Sequence, residues 1–320
     1  MIMKDKLELV TIITLSYKKY DYIMEAIDSV LKQDYPNIQY IISDDGADNC
    51  PREKIESYVK NNSTDNIKDF SLLTRESNVG TVKNLNQAIS RAEGEYIIVL
   101  SADDVFYSVD VVTRIVNDFY RLQCNVLGTL RLRCDKDLQP ICYMPAKYYQ
   151  RRIKTWDTAR KQYEAFVSGR HFEMASGSVL SYKKSYLERH MFDESYFLWE
   201  DGPFIERYLR EGNFLHLDYS FTAIYYREGG ISTSGGLNPL MQKDMSLYIK
   251  RVYKNSKGLV GILSYKLIES RLGKSECDSN ICGRIRRNVK YFYLVPLKVY
   301  DFVERKFVCG IERMFIKIRR

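Results

Sequence analysis

Two hydrophobic periodicities alternate along the first 120 residues of this chain. Short apolar runs rich in β-branched residues are separated by stretches in which apolar residues recur every three or four positions. The first pattern is typical of buried strands and the second of amphipathic helices. Such an alternation predicts right-handed βαβ units, and therefore an α/β fold with a mostly parallel sheet flanked by helices. The predicted strands cover 9–15, 38–42, 70–74 and 95–100.

The composition excludes a disordered chain, because 45% of the 320 residues are hydrophobic and can form a sizeable core. None of the seven cysteines forms a C-x-x-C pair or lies near one of the three histidines at zinc-ligand spacing. Neither a disulfide framework nor a zinc module is expected, which favours a cytoplasmic protein with reduced thiols. We recognise no signal peptide before the first strand and no apolar run near the roughly 20 residues that span a bilayer.

Two pairs of acidic residues stand directly after predicted strands. Asp44-Asp45 follows the second strand and Asp103-Asp104 follows the fourth. Parallel strands present ligand sites outside their carboxyl ends, so both pairs are expected to face one crevice. Their repulsion would raise the pKa of each carboxyl unless a divalent cation such as Mg²⁺ or Mn²⁺ compensates, together with substrate phosphates. The alternative is that these aspartates only form turns and cap helices.

A third acidic pair, Glu200-Asp201, follows a predicted aromatic strand over 196–199 and precedes a short helix. The glycine- and serine-rich stretch 227–236 predicts a flexible loop. We therefore divide the chain into a main domain over 1–235 and a helical extension over 236–320. Further predicted elements are a hairpin over 126–144, a helix over 154–167 and a strand over 177–181.

Several short motifs lie in a fixed order between residues 8 and 235. They are Ser16-Tyr17, Ser43-Asp-Asp-Gly46, Asn78-Val-Gly80, Asn86, Ala92-Glu-Gly-Glu-Tyr-Ile97, Ser101-Ala-Asp-Asp104 and Trp199-Glu-Asp201. Each is weak alone, but their order and spacing resemble family 2 glycosyltransferases. The resemblance implies an inverting enzyme with the GT-A fold, a Rossmann-like and mostly parallel sheet, which uses nucleotide-diphosphate sugars as donors.

The resemblance also implies how the donor is bound. Tyr17 corresponds to the residue that packs on the nucleobase, and Asp45 to the carboxylate that accepts the imide N–H of that base, with Asp44 in support. Asp103 corresponds to a contact with the ribose or the sugar. An imide N–H is present in uracil and thymine, which favours a UDP- or dTDP-sugar. Guanine also carries N–H groups, so this preference is modest.

A metal ligand is implied at Asp104, which corresponds to the DxD-type motif of the family, with Mn²⁺ or Mg²⁺ as the cofactor. The family often has Asp-x-Asp-Asp at this place, and Ser101 replaces the first acid in this chain. The metal ligand is retained, but the site has one negative charge fewer.

The pair Glu200-Asp201 corresponds to the general base of the family. The implied mechanism is a single displacement, in which a carboxylate takes the proton of an acceptor hydroxyl that attacks the anomeric carbon opposite the leaving diphosphate. The bound metal neutralises charge on that diphosphate. We assign the base to Asp201 and an orienting or acceptor-holding role to Glu200, with Trp199 as a wall of the acceptor pocket. The pair also fits an N-terminal cap for the following helix, and the two roles are compatible.

Three further positions are candidates for contacts to the donor. Lys83 is placed to reach a phosphate, or else is an exposed lysine of a helix. Arg227 and Ser232 flank the glycine-rich loop, which in family members often closes over the diphosphate. Glu228 stands where some relatives have a metal-contacting histidine, so we do not expect a metal ligand from this loop.

The positive charge of the chain is concentrated in its last 37 residues. Residues 284–320 contain 11 Lys and Arg against 3 Asp and Glu, and the rest of the chain has 38 of each. Apolar residues recur there at helical spacing, which predicts a basic amphipathic helix from about 299, a second helix over 285–294 and a break at Pro296. Such a helix is expected to lie on an anionic membrane surface. Packing on the main domain or on a second copy in a homodimer is the alternative, and no nucleic-acid recognition module accompanies it.

These features predict a metal-dependent glycosyltransferase that acts on a lipid-linked or surface-polysaccharide acceptor. We expect it in the cytoplasm, peripherally bound to the inner face of the membrane. A nucleotidyltransferase would use a similar sheet, but usually has a glycine-rich phosphate loop after the first strand, and residues 16–20 contain no glycine. The remaining alternative is a non-catalytic partner that keeps the fold and binds a nucleotide sugar.

Overall fold

A computed structural model describes residues 7–170, 174–229, 238–277 and 281–318. Strands and helices alternate in it as the sequence periodicity predicts. The strands are β1 (Val10–Ser16), β2 (Ile38–Asp44), β3 (Ile67–Leu73), β4 (Tyr96–Ser101), β5 (Val105–Phe106), β6 (Val126–Cys134), β7 (Pro140–Met144), β8 (Leu180–Lys183) and β9 (His216–Arg227). The helices are α1 (Ile23–Leu31), α2 (Arg52–Asn62), α3 (Thr81–Ile89), α4 (Val111–Leu122), α5 (Lys147–Ile153), α6 (Ala159–Val167), α7 (Lys184–Leu187), α8 (Asp201–Arg210), α9 (Pro239–Asn255), α10 (Ile262–Cys277), α11 (Ile281–Lys290) and α12 (Val295–Ile318).

The sheet combines parallel and antiparallel pairs. Eight strands follow one another in the order β3-β2-β1-β4-β8-β6-β9-β5. The pairs formed among β1, β2, β3 and β4 are parallel, and so is the pair of β6 with β9. Strand β8 is antiparallel to β4 and to β6, and β5 is antiparallel to β9. The predicted α/β class with a mostly parallel sheet is confirmed.

The central strands are buried on both faces, which explains their nearly continuous apolar sequences. On one face, Ile12 and Ile42 share a buried cluster with Ile27 of α1. On the other face, α3 packs against β1 and β2. Because the strands are fixed from both sides, the loops at their carboxyl ends start from well-defined positions.

The described chain divides into two compact units, each assembled from several stretches. The predicted division near residue 235 remains a prediction, because it falls outside the described residues. Helices α9–α12 form the predicted helical tail and belong to the second unit. Among the described residues, no helix combines the length and the hydrophobicity needed to cross a bilayer. The first unit contains Met1–Pro140, Ala175–Asp201 and His216–Gly235, and the second contains Ile141–Met174, Gly202–Leu215 and Gly236–Arg320.

Two local predictions are wrong. The aromatic segment 196–199 is not a strand. Its backbone groups bond outside a sheet: Tyr196 N donates to Asp193 O in a turn, and Phe197 O accepts from Val82 N in the first turn of α3. The break in the tail does not lie at Pro296. That residue is in the first turn of α12, where a missing N–H costs no helical hydrogen bond. The break lies instead over 291–294, between α11 and α12.

Candidate functional site

The carboxyl ends of three parallel strands are aligned at one edge of the sheet. Ser16 at the end of β1 is paired with Asp44 at the end of β2, and Leu15 is paired with Ser101 at the end of β4. The loops that follow these strands carry the first two acidic pairs. The predicted placement of both pairs at one edge is therefore observed.

Asp44 is completely buried and is held by three donors. Its Oδ2 accepts from Ser16 Oγ (2.9 Å) and from Tyr20 Oη (2.6 Å), and its Oδ1 accepts from Ala47 N (3.0 Å). A carboxylate with these partners fixes the loop after β2. This arrangement fits the supporting role that the resemblance implies for Asp44.

Asp45, the next residue, accepts two backbone hydrogen bonds from the segment before α3. Val79 N donates to its Oδ1 (2.9 Å) and Gly80 N donates to its Oδ2 (3.0 Å). Burial raises the pKa of Asp45, although these two donors and the charge of Arg75 oppose the shift. Gly80 has φ +92°, and a Cβ there would lie 2.5 Å from Phe197 O. A glycine is therefore required at position 80 on two independent grounds.

Arg75, after β3, belongs to this part of the site and was not predicted. Its Nε donates to Asn84 Oδ1 (3.0 Å) and its Nη2 donates to Ser43 Oγ (3.2 Å). The guanidinium therefore bonds to Asn84 and Ser43 and lies close enough to Asp45 for its charge to act on that carboxyl group. The sequence offers only a lone arginine in a polar loop, and its proximity to the acids depends on the pairing of β2 with β3.

Asp103 and Asp104 lie in the turn between β4 and β5, and Arg227 holds that turn. The Arg227 backbone N donates to Asp104 Oδ1 (3.0 Å) and its Nη1 donates to the Asp103 carbonyl O (2.9 Å). The guanidinium also pairs with Glu25 and lies 4.1 Å from the centre of the Tyr22 ring. Arg227 is only 2% exposed, so it holds the acidic turn from within the protein interior.

One oxygen of Asp104 marks a place for a cation. The residue is 0% exposed, and its Oδ2 has no hydrogen-bond partner among the described residues. Burial, together with the charge of Asp103, raises the pKa of Asp104 well above its usual range. Within the described part of the chain, no cluster of three or more His, Cys, Asp or Glu residues could hold a metal. The unpartnered Oδ2 of Asp104 fits a single protein ligand to Mg²⁺ or Mn²⁺, which would take its other ligands from a diphosphate and water.

The third acidic pair lies over a glycine of the turn before β8. Gly177 N donates to Asp201 Oδ2 at 2.6 Å. A Cβ on Gly177 would lie 2.6 Å from Glu200 Oε1. Burial, and secondly the charge of Asp201, raises the pKa of Glu200 to about 8. Asp201 is also the first residue of α8, where the helix dipole favours a negative charge.

Arg131 of β6 lies beside the turn that contains Gly177, and it was also not predicted. Its Nη1 donates to Ser176 Oγ (2.8 Å) and to Ser178 Oγ (2.9 Å), the residues on either side of Gly177. Its guanidinium lies 4.2 Å from the centre of the Tyr226 ring. Its charge opposes the upward pKa shift of Asp104. The only sequence signal is an arginine between leucines in a strand.

The remaining predicted residues occupy varied positions. Tyr17 is half-buried at the end of β1, and Lys83 is exposed on α3. Trp199 is half-buried beside Glu200. Ser232 lies outside the described residues. The structure thus places Asp45 and Asp104 after neighbouring parallel strands, and it places Arg131, whose charge acts on Asp104, on the serines that flank Gly177. The roles of these acidic residues remain predictions.

The family of the chain follows from a comparison with family models. The model of glycosyl transferase family 2 matches residues 11–191, which is more than half of the chain. The chain belongs to glycosyl transferase family 2. The residues matched include the first two acidic pairs and the strands that carry them.

Curated relatives of the chain are named glycosyltransferases. The GalNAc(5)-diNAcBac-PP-undecaprenol beta-1,3-glucosyltransferase of Campylobacter jejuni is 22% identical over 313 residues, which is 96% of this chain and 89% of that protein. Two relatives that are at least 30% identical align over only 36% and 31% of their own length. The chain thus spans about a third of those two proteins.

Solved structures show the same fold. TarS residues 1–349 of Staphylococcus aureus in complex with UDP-GlcNAc superposes with a TM-score of 0.57 at 16% identity, covering 88% of this chain and 73% of residues 1–349 of TarS. The mannosyltransferase PcManGT of Pyrobaculum calidifontis, in complex with GDP-Man and Mn²⁺, gives a TM-score of 0.59 at 12% identity, covering 97% and 88%. The predicted GT-A fold is confirmed.

Proposed function

We propose that this chain is an inverting glycosyltransferase that moves a sugar from a nucleotide-diphosphate donor to a hydroxyl of a lipid-linked or surface-polysaccharide acceptor. The observation that carries this proposal is the position of Arg131. Its charge acts on Asp104, and its guanidinium donates to the two serines on either side of Gly177. Gly177 N in turn donates to Asp201. Asp104 is a buried carboxylate with an unpaired oxygen, whereas Asp201 is a carboxylate that accepts a backbone N–H, so the two groups suit different chemical roles. Glycosyl transfer needs both, one at the leaving group and one at the acceptor.

Asp45 is assigned to the nucleobase. Each of its oxygens accepts one backbone N–H and retains capacity for another, so an imide N–H can be added without breaking the existing bonds. Tyr17, half-buried at the neighbouring strand end, is assigned to stack on the base, while Asp44 holds the loop. This arrangement supports a UDP- or dTDP-sugar, and TarS was solved with UDP-GlcNAc.

Asp104 is assigned as the protein ligand of Mn²⁺ or Mg²⁺, with Asp103 on the ribose or sugar side. When bound, the ion supplies positive charge that stabilises the leaving diphosphate. Arg227 positions the turn by holding the backbone of Asp103 and one oxygen of Asp104, which leaves the other oxygen of Asp104 for the ion. Lys83 and Ser232 remain candidates for contacts to the phosphates.

Asp201 is assigned as the general base. It takes the proton from the acceptor hydroxyl as the oxygen forms a bond to the anomeric carbon, and the bond from that carbon to the diphosphate breaks. Glu200, whose pKa is raised to about 8, carries a proton at neutral pH and can donate a hydrogen bond to the acceptor. Gly177 N keeps Asp201 oriented, and Trp199 is assigned to the acceptor wall.

A lipid-linked acceptor is supported by the Campylobacter jejuni relative, which aligns over nearly the whole chain and is named for a PP-undecaprenol-linked glycan. We place the protein as a peripheral protein at the inner face of the membrane, where such an acceptor is met from the cytoplasm.

The base assignment is tested with Asp201→Asn. Transfer should fall 10²- to 10⁴-fold, because general-base catalysis contributes about that much, while the thermal shift caused by UDP stays as in the wild type. The measurement is release of UDP from a panel of UDP-, dTDP- and GDP-sugars with Mn²⁺. Asp157→Asn is the matched control, since that carboxylate is 68% exposed and pairs with Lys161 of its own segment.

Two results would contradict the proposal. Turnover by Asp201→Asn at the wild-type rate would remove Asp201 as the base. No stabilisation of the wild-type protein by any nucleotide, together with no turnover of any donor, would instead favour a non-catalytic role.

A further inference from the structure

Helix α12 turns its acidic side chains towards the rest of the second unit. Asp301 Oδ1 accepts from Arg170 Nη2 (3.0 Å), and Glu312 Oε1 accepts from Lys147 N (2.9 Å). Glu304 accepts from Tyr148 Oη at 3.2 Å. These are all three acidic residues of the segment 284–320. All three acidic side chains of the tail therefore have partners within their own unit.

The opposite side of α12 is apolar and exposed. Residues recur there at helical spacing, between about a quarter and half a turn away from Asp301 and Glu312. Phe302 is 62% exposed and Phe307 is 66% exposed, values that are unusual for phenylalanine in a folded protein. We call this surface the outer face; its residues are Val299, Phe302, Val303, Lys306, Phe307, Arg313 and Met314.

This polarity is the reverse of that of an ordinary surface helix, which buries its apolar side and exposes its charges. The polar contacts fix α12 to its unit: Arg305 Nη2 donates to the carbonyl oxygens of Gly169 (2.9 Å) and Arg170 (2.8 Å). The helix is thus held with its phenylalanines directed outwards. An arrangement that exposes two phenylalanines together with neighbouring aliphatic side chains indicates a partner with an apolar layer.

The charge on the outer face indicates which partner this is. Lys306 and Arg313 are exposed on that side, and no acidic residue of the segment is left to pair with them, since all three face inwards. In a symmetric dimer through this face, the same basic residues would meet their copies and repel one another. An anionic lipid surface provides both the negative charge and the apolar layer.

We infer that the outer face of α12 docks on an anionic membrane surface, with Phe302 and Phe307 inserted at the headgroup boundary and Lys306 and Arg313 at the lipid phosphates. The inference identifies the membrane contact of the proposed enzyme, and it rests on the packing of α12 alone. It is measured without a donor or an acceptor. Its failure would therefore leave the proposed transfer reaction untouched, and the reverse also holds.

The test is co-sedimentation of the full chain with vesicles of neutral phosphatidylcholine, with and without phosphatidylglycerol. The wild type should bind the anionic vesicles and be released by salt. Lys306→Gln with Arg313→Gln should weaken binding about 30-fold, on the basis of about 5-fold for each basic residue at an anionic surface. Phe302→Ser with Phe307→Ser should weaken it on the order of 100-fold, because two aromatic side chains no longer insert.

Ile262→Ser is the matched control. Ile262 is 85% exposed at the start of α10, outside the outer face, so its replacement should leave vesicle binding unchanged. Circular dichroism establishes whether each variant is folded. If the Phe302→Ser, Phe307→Ser variant is unfolded, vesicle binding by the Lys306→Gln, Arg313→Gln variant tests the inference. Equal binding of the wild type and both double variants would overturn the inference. So would a wild-type dimer in sedimentation velocity that Phe302→Ser with Phe307→Ser converts to a monomer, without vesicle binding by either protein.

Discussion

Gly177→Ala is expected to reduce glycosyl transfer about 100-fold with little loss of stability. A Cβ at this position would lie 2.6 Å from Glu200 Oε1 and 3.2 Å from Asp201 Cβ. An ordinary contact begins near 3.4 Å, so the Glu200 carboxyl must retreat by about 0.8 Å and Asp201 by about 0.2 Å. A misplacement of about 1 Å in a catalytic constellation can cost about 100-fold in rate.

The effect on folding should be small, because the atom that must move most is the end of a flexible side chain. Overpacking usually costs about 1–3 kcal/mol, and we expect the lower end of that range. The assay combines UDP release at saturating donor with thermal unfolding. Gly273→Ala is the control, since its added Cβ would meet Arg287 at an ordinary 3.6 Å in the second unit.

The expected signature is a lower kcat for Gly177→Ala, an unchanged KM for the donor and a nearly unchanged melting temperature. A wild-type kcat in a folded Gly177→Ala protein would show that the position of the Glu200-Asp201 pair does not limit the reaction. The assignment of the base to this pair would then be refuted.

Two further predictions concern the carboxyl groups of Asp104 and Glu200. Asp104→Asn should abolish the extra thermal stabilisation that Mn²⁺ gives with UDP, an increment of about 2.7 kcal/mol at 100 times the dissociation constant; an undiminished increment would exclude Asp104 as the ligand. Glu200→Gln should flatten the pH dependence of stability. The native Glu200 keeps its proton up to about pH 8, whereas the unfolded chain releases it near 4.5, so the free energy of unfolding falls as pH rises between these values, by at most about 1.4 kcal/mol per unit. Urea unfolding at pH 5, 6.5 and 8 measures the slope, and equal slopes for both proteins would contradict the assigned shift.

Much of the first unit could be predicted from the sequence because its signals are local. The apolar runs of β1, β2 and β4 have the length and composition of buried strands, and the acids follow them directly. Since parallel strands place their carboxyl ends at one edge, Asp45 and Asp104 could be placed together without coordinates. The aromatic segment before Glu200 was wrongly predicted as a strand, because aromatic composition does not reveal that its backbone bonds are made to a turn and to the start of α3.

The basic residues of the site could not be predicted from the sequence. Arg75 and Arg131 reach the acids through strand pairings between segments that are distant in sequence. Arg227 was predicted as a residue that flanks the glycine-rich loop. Only the pairing of β9 with β5 shows that it bonds to the turn that contains Asp103 and Asp104. Gly177 could not be predicted either, because its importance depends on the contact of its backbone with Glu200 and Asp201.

The sequence by itself determined the order of strands and helices, the edge of the sheet that carries the acids, and the excess of positive charge in the tail. These properties depend on neighbours along the chain, so periodicity and spacing are sufficient to read them. Only the tertiary structure decided which oxygen of Asp104 lacks a partner and which side of α12 faces outwards. Both depend on contacts between distant segments, and a local pattern contains no information about the atoms that the fold brings against it.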